Sequence, residues 1–382
     1  MPEPGAPSAI VQSLRVPCDL AVEEINAAGG VNGQPVEIAA ADDGSDATKS
    51  ANGFDRLAES DLVDAIVGPA SSDSANAVLD KAKSSRLVTC TGSATAGSLT
   101  DAQEDDADGG YFFRTAPPDR FQGPALADFV TSEEHTAVAL LVRNDPYGTG
   151  FAAAMEERFE ANGVEVVESV AYDPSAASFD TDVQQVAGAN PDAVVLIAFP
   201  DDGGKILNAM ITGGIGPEDV AIFTADGLQS GGFYERVDAE NPGIVEGMKG
   251  TAPASAPGGV ESPFIETFAA TGTDPSFSAY YYDCTMLIAL AAQAAGSDDP
   301  AEIREEMANV ATGGETCNTF ADCKALLEEG EDIDFEGASG SLDLSDLGEP
   351  ESGTYDLWAF DADGAVQVNP AEDQITITAD DL

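Results

Sequence analysis

The chain has 382 residues and a mass of 39.1 kDa, past the size at which one hydrophobic core usually stops growing, so two domains are expected. Lys and Arg number 15 against 70 Asp and Glu, a formal charge of −55 in a chain only 22% charged; the departure is a shortage of bases, and six of the 15 are lysine. Phosphate backbones and anionic membrane surfaces repel such a chain, which excludes nucleic-acid and lipid-surface binding, and a 43% hydrophobic content excludes a wholly disordered one.

Taken in order, the segment Asp19–Ala28 is amphipathic and stops at Gly29-Gly30, as a helix should. Val36–Ala40 alternates like a strand, Ala47–Glu59 reads as a helix, and Val63–Val67 as a short buried strand. A helix over Asp73–Ser84 and strands at Leu87–Cys90 and Tyr111–Arg114 follow. A second series runs strand Thr136–Val142, helix Gly148–Asn162, strand Val164–Val170, helix Phe179–Ala189 and strand Ala193–Phe199. It ends with helix Gly203–Thr212 and strand Val220–Thr224. Helices dominate Ser262–Glu329, and short strands at Ser339–Leu344, Thr354–Phe360 and Ala365–Val368 close the chain. Two alternating series imply two α/β lobes, each a doubly wound parallel sheet with helices on both faces.

The acids are spread along the whole length rather than gathered in a tail, which reads as adaptation to high salt, where a Debye length of ~3 Å screens their repulsion. No stretch approaches the ~18 apolar residues of a membrane span; the longest, Ala193–Phe199 and Met286–Leu290, are core-sized. The opening MPEPGAPSAIVQ has neither the basic start nor the apolar run of a signal peptide. Of five cysteines, Cys317 and Cys323 are close enough in sequence for a small disulfide loop in an oxidising compartment. Cys18, Cys90 and Cys284 are isolated and read as small buried hydrophobes.

In open α/β sheets, ligands sit outside the carboxyl ends of the strands. That rule selects five loops: GPASS at 68–72, TCTGSAT at 89–95, NDPYG at 144–148, FPDDGG at 199–204 and TADG at 224–227. The first two are rich in small hydroxyl residues leading into helices and suit a carboxylate. The other three carry Asp145, Tyr147, Asp201, Asp202 and Asp226, which suit a cation. One anion-friendly and one cation-friendly side fit an amino acid; ordinary turn and cap residues are the plainer reading of any single loop.

Enzymatic readings find no support. His135 is the only histidine, placed before a strand and expected to be exposed, and the chain lacks a nucleophile elbow, a phosphate loop and a dinucleotide fingerprint. Paired Cys/His spacing for zinc is absent. The run Asp332-Ile-Asp334-Phe-Glu336-Gly337 with Asp343 imitates part of a calcium loop, but Asp replaces the bidentate Glu and a strand-like flank replaces the exiting helix. No metal and no cofactor are expected.

The motifs LAVEEINAAGGVNGQPVEIAAADDGSD, YFFRTAPPDRFQGPALADF, NDPYGTGFA, PDAVVLIAF and EGMKGTAPA, in this order, resemble the type I solute-binding proteins of branched-chain amino acid ABC transporters, over about Met1–Val368. The resemblance implies two lobes, 1–117 with 252–336 and 118–251 with 337–370, an acidic tail at 371–382, and a ligand cleft. Three crossovers are implied near Ala116–Asp119, Gly250–Pro253 and Phe335–Ser339. Carried over by position, Ser72 and Thr95 match hydroxyls for a ligand carboxylate, aided by backbone groups of Ser93 and Ala94. Tyr147 and Asp226 match positions for the ammonium, and Phe199 stands where the branched-chain binders place a tyrosine. MPEPG aligns just after the family's first strand, so an upstream strand and an export signal are expected before Met1. The expected function is an extracytoplasmic receptor, not an enzyme. As a monomer it binds a branched-chain amino acid or similar small polar ligand and delivers it to ABC permease subunits. The alternative is a cytoplasmic sensor of the same fold for short amides or amino acids; amides, urea and aromatic acids compete with leucine-like ligands.

Overall fold

The computed structural model describes residues 9–59, 63–104, 110–257, 262–368 and 374–382, with side chains from Leu14 onward. The opening MPEPG lies outside the described residues. The chain forms two compact units, Met1–Pro118 with Ser255–Glu351 and Asp119–Ala254 with Ser352–Leu382, so it passes between them three times.

In chain order the first stretch carries β1 (Ala65–Val67), β2 (Val88–Thr91) and β3 (Phe112–Arg114). The second carries β4 (Ala137–Arg143), β5 (Glu165–Tyr172), β6 (Ala193–Ile197), β7 (Ala221–Thr224) and β8 (Lys249–Pro253). β9 (Glu315–Cys317), β10 (Ile333–Gly337) and β11 (Gly340–Ser341) follow, then β12 (Ser352–Phe360), β13 (Val366–Val368) and β14 (Gln374–Thr378).

The first unit holds a parallel sheet in the order β1-β2-β3 and a small sheet β11-β10-β9. One face of the parallel sheet packs Val88, Cys90 and Phe113 against Ala21, Ile25, Met286 and Leu290 from helices Ala9–Ala27 and Ser278–Ala295. Helix Ser278–Ala295 is buried almost throughout because its sequence is apolar on every face. The expected strand Val36–Ala40 does not form a ladder with the described residues: Val36 exchanges both backbone hydrogen bonds with the Asn26 side chain instead (2.7 and 2.9 Å). Val36, Ile38 and β1, which pairs with β2 alone among the described residues, line one cavity of about 820 Å³, floored by Leu14, Cys18 and Tyr281.

Cys90 on β2 and Cys284 on helix Ser278–Ala295 are joined by a disulfide, which corrects the reading of both as isolated thiols; 194 residues separate them, and sequence proximity carries no signal at that distance. Cys317 and Cys323 are also joined, and Cys18 is a buried free thiol. Closing a long loop restricts the unfolded chain more than closing a short one, so reduction is expected to cost ~2–4 kcal/mol, chiefly through Cys90–Cys284. Urea unfolding in molar salt with and without dithiothreitol measures this. An equal loss in a Cys323→Ser variant alone would assign the effect to the short loop.

Residues 337–351, expected with the C-terminal lobe, stay with the first unit, and the third passage falls at Glu351/Ser352. The reason is the buried carboxylate of Asp283, which accepts from Ala338 N (2.7 Å) and Ser339 N (2.8 Å) and holds the end of β10 in that unit. A Cβ on Gly337 would lie 2.2 Å from Asp283 Oδ1, so only glycine lets the strand approach this closely.

The second unit holds one sheet in the order β13-β12-β8-β7-β6-β4-β5, with β14 antiparallel to β12. Strands β4 to β8 are parallel and the additions after Ser352 antiparallel. Alternate residues of the near-continuous apolar strands face opposite helical layers. Leu141, Val194, Leu196 and Ile222 pack on Val183, Ile206 and Met210, while Leu140, Val195, Ile197 and Phe223 pack on Leu126, Phe151 and Met155. The expected acidic tail is in part a strand, since β14 pairs residue by residue with Ser352–Asp356. His135 is half-buried rather than exposed, edge-on to Phe223 at 5.4 Å. Among the described residues no helix is long and apolar enough to cross a membrane.

Candidate functional site

Each unit places its sequence-selected loops together at the carboxyl ends of neighbouring parallel strands. In the first unit the loop after β1 and the loop after β2 are sewn to one another. Thr91 Oγ1 donates to Pro69 O (2.6 Å), Ser93 Oγ donates to Ala70 O (2.7 Å), and Ser72 Oγ accepts from Ala96 N (3.1 Å). Ser71 caps the short helix Ser72–Asn76 through Ser74 N (3.3 Å), leaving Ser72 buried on its first turn. Ser93 N and Ala94 N both point at Thr91 Oγ1, each at 3.3 Å, so these two amides have an internal acceptor. Tyr281 adds a phenol 3.0 Å from Ser93 Oγ. Gly92 permits the turn, because a Cβ there would meet the Tyr280 carbonyl carbon and Tyr281 N at 2.8 Å. Thr95 is buried and makes no side-chain hydrogen bond among the described residues. The result is a cluster of hydroxyls, with the Asp43 carboxylate behind it accepting from Ala70 N (2.9 Å).

In the second unit β7, β6 and β4 are adjacent, and their ends bring Asp226, Phe199 and Tyr147 together. Tyr147 sits in the first turn of helix Pro146–Asn162, after a proline at the first position and an Asp145 cap that accepts from Gly148 N (2.9 Å). Phe199 immediately precedes helix Pro200–Gly213, and its ring stacks on Tyr147, centroids 5.5 Å apart and planes 4° apart. Asp226 begins a 3₁₀ turn after β7; its Oδ1 accepts from Tyr147 Oη (3.0 Å) and Gln122 Nε2 (2.9 Å). Burial pushes the Asp226 carboxyl up to about 6, with the two hydrogen bonds opposing that rise. Tyr147 is raised as well, first by burial and then by the charge of Asp226.

The acidic residues of these loops do not act alike. Asp145 and Asp202 are both taken by Arg143, each at 2.7 Å. Asp201 is exposed and 3.3 Å from Arg236. Among the described residues Asp226 alone of this set lacks a basic partner, which makes it the carboxylate that can hold an external cation. Sequence pattern gives no sign of Gln122: it is a buried polar residue inside helix Asp119–Ser132, flanked by Arg120, Phe121, Gly123 and Pro124. The calcium-like run lies along strand β10 and the following turn, and no group of metal-binding side chains is found among the described residues.

A protein-family model described as periplasmic binding protein matches residues 2–320. Over 357 residues the chain is 25% identical to the chemotactic signal transduction system substrate-binding protein BasB of Halobacterium salinarum, covering 92% of this chain and 83% of that one. It is 26% identical over 294 residues to the leucine-, isoleucine-, valine-, threonine- and alanine-binding protein of Pseudomonas aeruginosa, covering 75% of each. The crystal structure of a leucine-binding protein, LivK, from Thermotoga maritima shares the fold with a TM-score of 0.79 at 22% identity, covering 100% of this chain and 98% of that one.

Proposed function

Because the chain belongs to the type I periplasmic binding proteins of the branched-chain amino acid family, we propose that it is an extracytoplasmic receptor for an α-amino acid with an apolar side chain, which it hands to an ABC importer. The observation that carries this is Asp226: a buried carboxylate, raised to about 6, with hydrogen-bond donors but no basic partner among the described residues. The ligand's ammonium is the counter-ion it lacks. In this reading Phe199 supplies an apolar wall beside Asp226, and the hydroxyls of Ser72 and Thr95 are groups of the kind an α-carboxylate takes. A charge-assisted hydrogen bond from the ammonium to the buried Asp226 carboxylate supplies binding energy.

Two disulfides support an oxidising compartment, and the charge of −55 supports a saline one. The family consists of binding proteins rather than enzymes. A second reading, delivery to a signal transducer instead of an importer, is favoured by the similarity to a chemotactic substrate-binding protein.

The test is titration calorimetry with leucine, isoleucine, valine, acetamide and urea in molar salt. Leucine-like amino acids are expected to bind at pH 7 and about tenfold more weakly at pH 5, because a protonated Asp226 offers no charge to an ammonium and the proton competes below about pH 6. Binding of an amide alone, without pH dependence, would overturn the amino acid assignment.

A further inference from the structure

Behind Phe199 lies a cluster that no ligand contact requires. Arg143, the last residue of β4, sits with its guanidinium over the Phe199 ring, 4.2 Å from the centroid. Its Nε donates to Asp145 Oδ2 and its Nη1 to Asp202 Oδ1, both at 2.7 Å. The other oxygen of Asp202 accepts from Tyr172 Oη on β5. Arg143 and Asp145 are only 13% and 14% exposed, and Asp202 7%. Three charged groups have left water here, an arrangement that apolar side chains of the same volume would replace at no loss of stability.

We propose that Arg143 is a positioning residue that fixes the two aromatic groups of the binding site. It acts along two routes. Through Asp145, whose second oxygen caps Gly148 N, it anchors the helix turn that carries Tyr147. A Cβ on Gly148 would lie 2.2 Å from Arg143 O, so strand end and helix start are also in direct contact. Through Asp202 and the ring face it holds Phe199 flat, and Phe199 in turn stacks on the ring whose hydroxyl meets Asp226. A guanidinium suits both tasks, since its plane stacks on an aromatic face while its edge serves two carboxylates; an ammonium does one or the other. Holding Phe199 at a fixed tilt sets the depth of the apolar wall and so the size of side chain admitted.

This inference rests on the amino acid reading, and its test separates the two. Arg143→Lys and Asp202→Asn are compared with wild type in molar salt, by calorimetry with valine, leucine and phenylalanine and by the ¹⁹F signal of 3-fluorotyrosine at position 147, assigned with Tyr147→Phe. Arg143→Lys is expected to weaken the preferred ligand about tenfold, to narrow the preference over phenylalanine and to shift or broaden the Tyr147 signal, with Asp202→Asn doing the same to a smaller extent. A lowered melting temperature with unchanged affinity, selectivity and ¹⁹F signal in the folded variants would show a merely structural role and overturn the proposal. If wild type binds no amino acid yet the Tyr147 signal moves in both variants, positioning stands and the ligand assignment falls.

Discussion

Asp226→Asn is expected to make the empty protein more stable at neutral pH while abolishing amino acid binding. The carboxyl is buried and accepts from Tyr147 and Gln122, yet these neutral donors do not offset its desolvation, and it is raised from its ordinary value of 3.8 to about 6. Between those values the folded state holds a proton that the unfolded chain has released. Stability therefore falls as pH rises through that window, and above it the folded protein carries a penalty of at most about 3 kcal/mol. Asparagine keeps the shape and one acceptor oxygen and removes the charge. Urea unfolding between pH 4 and 8 should show wild type losing stability with rising pH more steeply than the variant. The comparison matters because Asp283, raised by burial to about 7, adds a slope of the same sign in both proteins. Binding of leucine-like ligands should weaken by at least ~100-fold, the loss of a buried charge-assisted contact. A variant less stable than wild type at pH 7 would mean that Asp226 is not the uncompensated charge.

Glu349→Ala should destabilise the first unit by ~3–5 kcal/mol. Arg114 at the end of β3 and Glu349 near the third passage are both fully buried. Arg114 Nε donates to Glu349 Oε2 at 2.9 Å, and its Nη1 donates to Ala96 O at 3.1 Å. Removing the carboxylate leaves a fully buried guanidinium without its anionic partner. The double variant Arg114→Met with Glu349→Leu separates charge from packing. It should recover most of the loss, since apolar side chains of similar size replace buried ion pairs with little penalty. A single variant within ~1 kcal/mol of wild type would show that solvent reaches Arg114.

In the second unit β4, β6 and β7 and helices Pro146–Asn162 and Pro200–Gly213 were legible, because these strands are apolar on both faces and these helices begin at Pro and end at Gly163 and Gly214; helix Asp119–Ser132, β8 and β14 were not. Strand ends were legible for the same reason, and with them the loops holding Ser72, Ser93, Thr95, Tyr147, Phe199 and Asp226. Pairing was not. The alternation at Val36–Ala40 describes a segment able to enter a sheet, whereas its backbone found Asn26. Nothing along the chain announces that Cys90 meets Cys284, or that the third passage waits until Glu351. The division of labour among the acids was equally hidden: Asp145, Asp202 and Asp226 look alike in sequence, and only the reach of Arg143 separates the two that are neutralised from the one that is not.

The interleaving of the two units also orders their birth on the ribosome. The first unit begins first and, with Glu349 in place, completes first, although the stretch Asp119–Ala254 of the second has emerged in between. That stretch ends in β8, whose outer neighbour β12 arrives only with Ser352–Phe360. A nascent chain, or a product clipped near Glu351, thus carries a finished first unit beside a sheet with β8 as a bare edge. Such edges template pairing with other chains. Losses from the carboxyl terminus should accordingly yield aggregation rather than a shorter soluble protein, and the antiparallel strands added last serve as the second unit's closing seam.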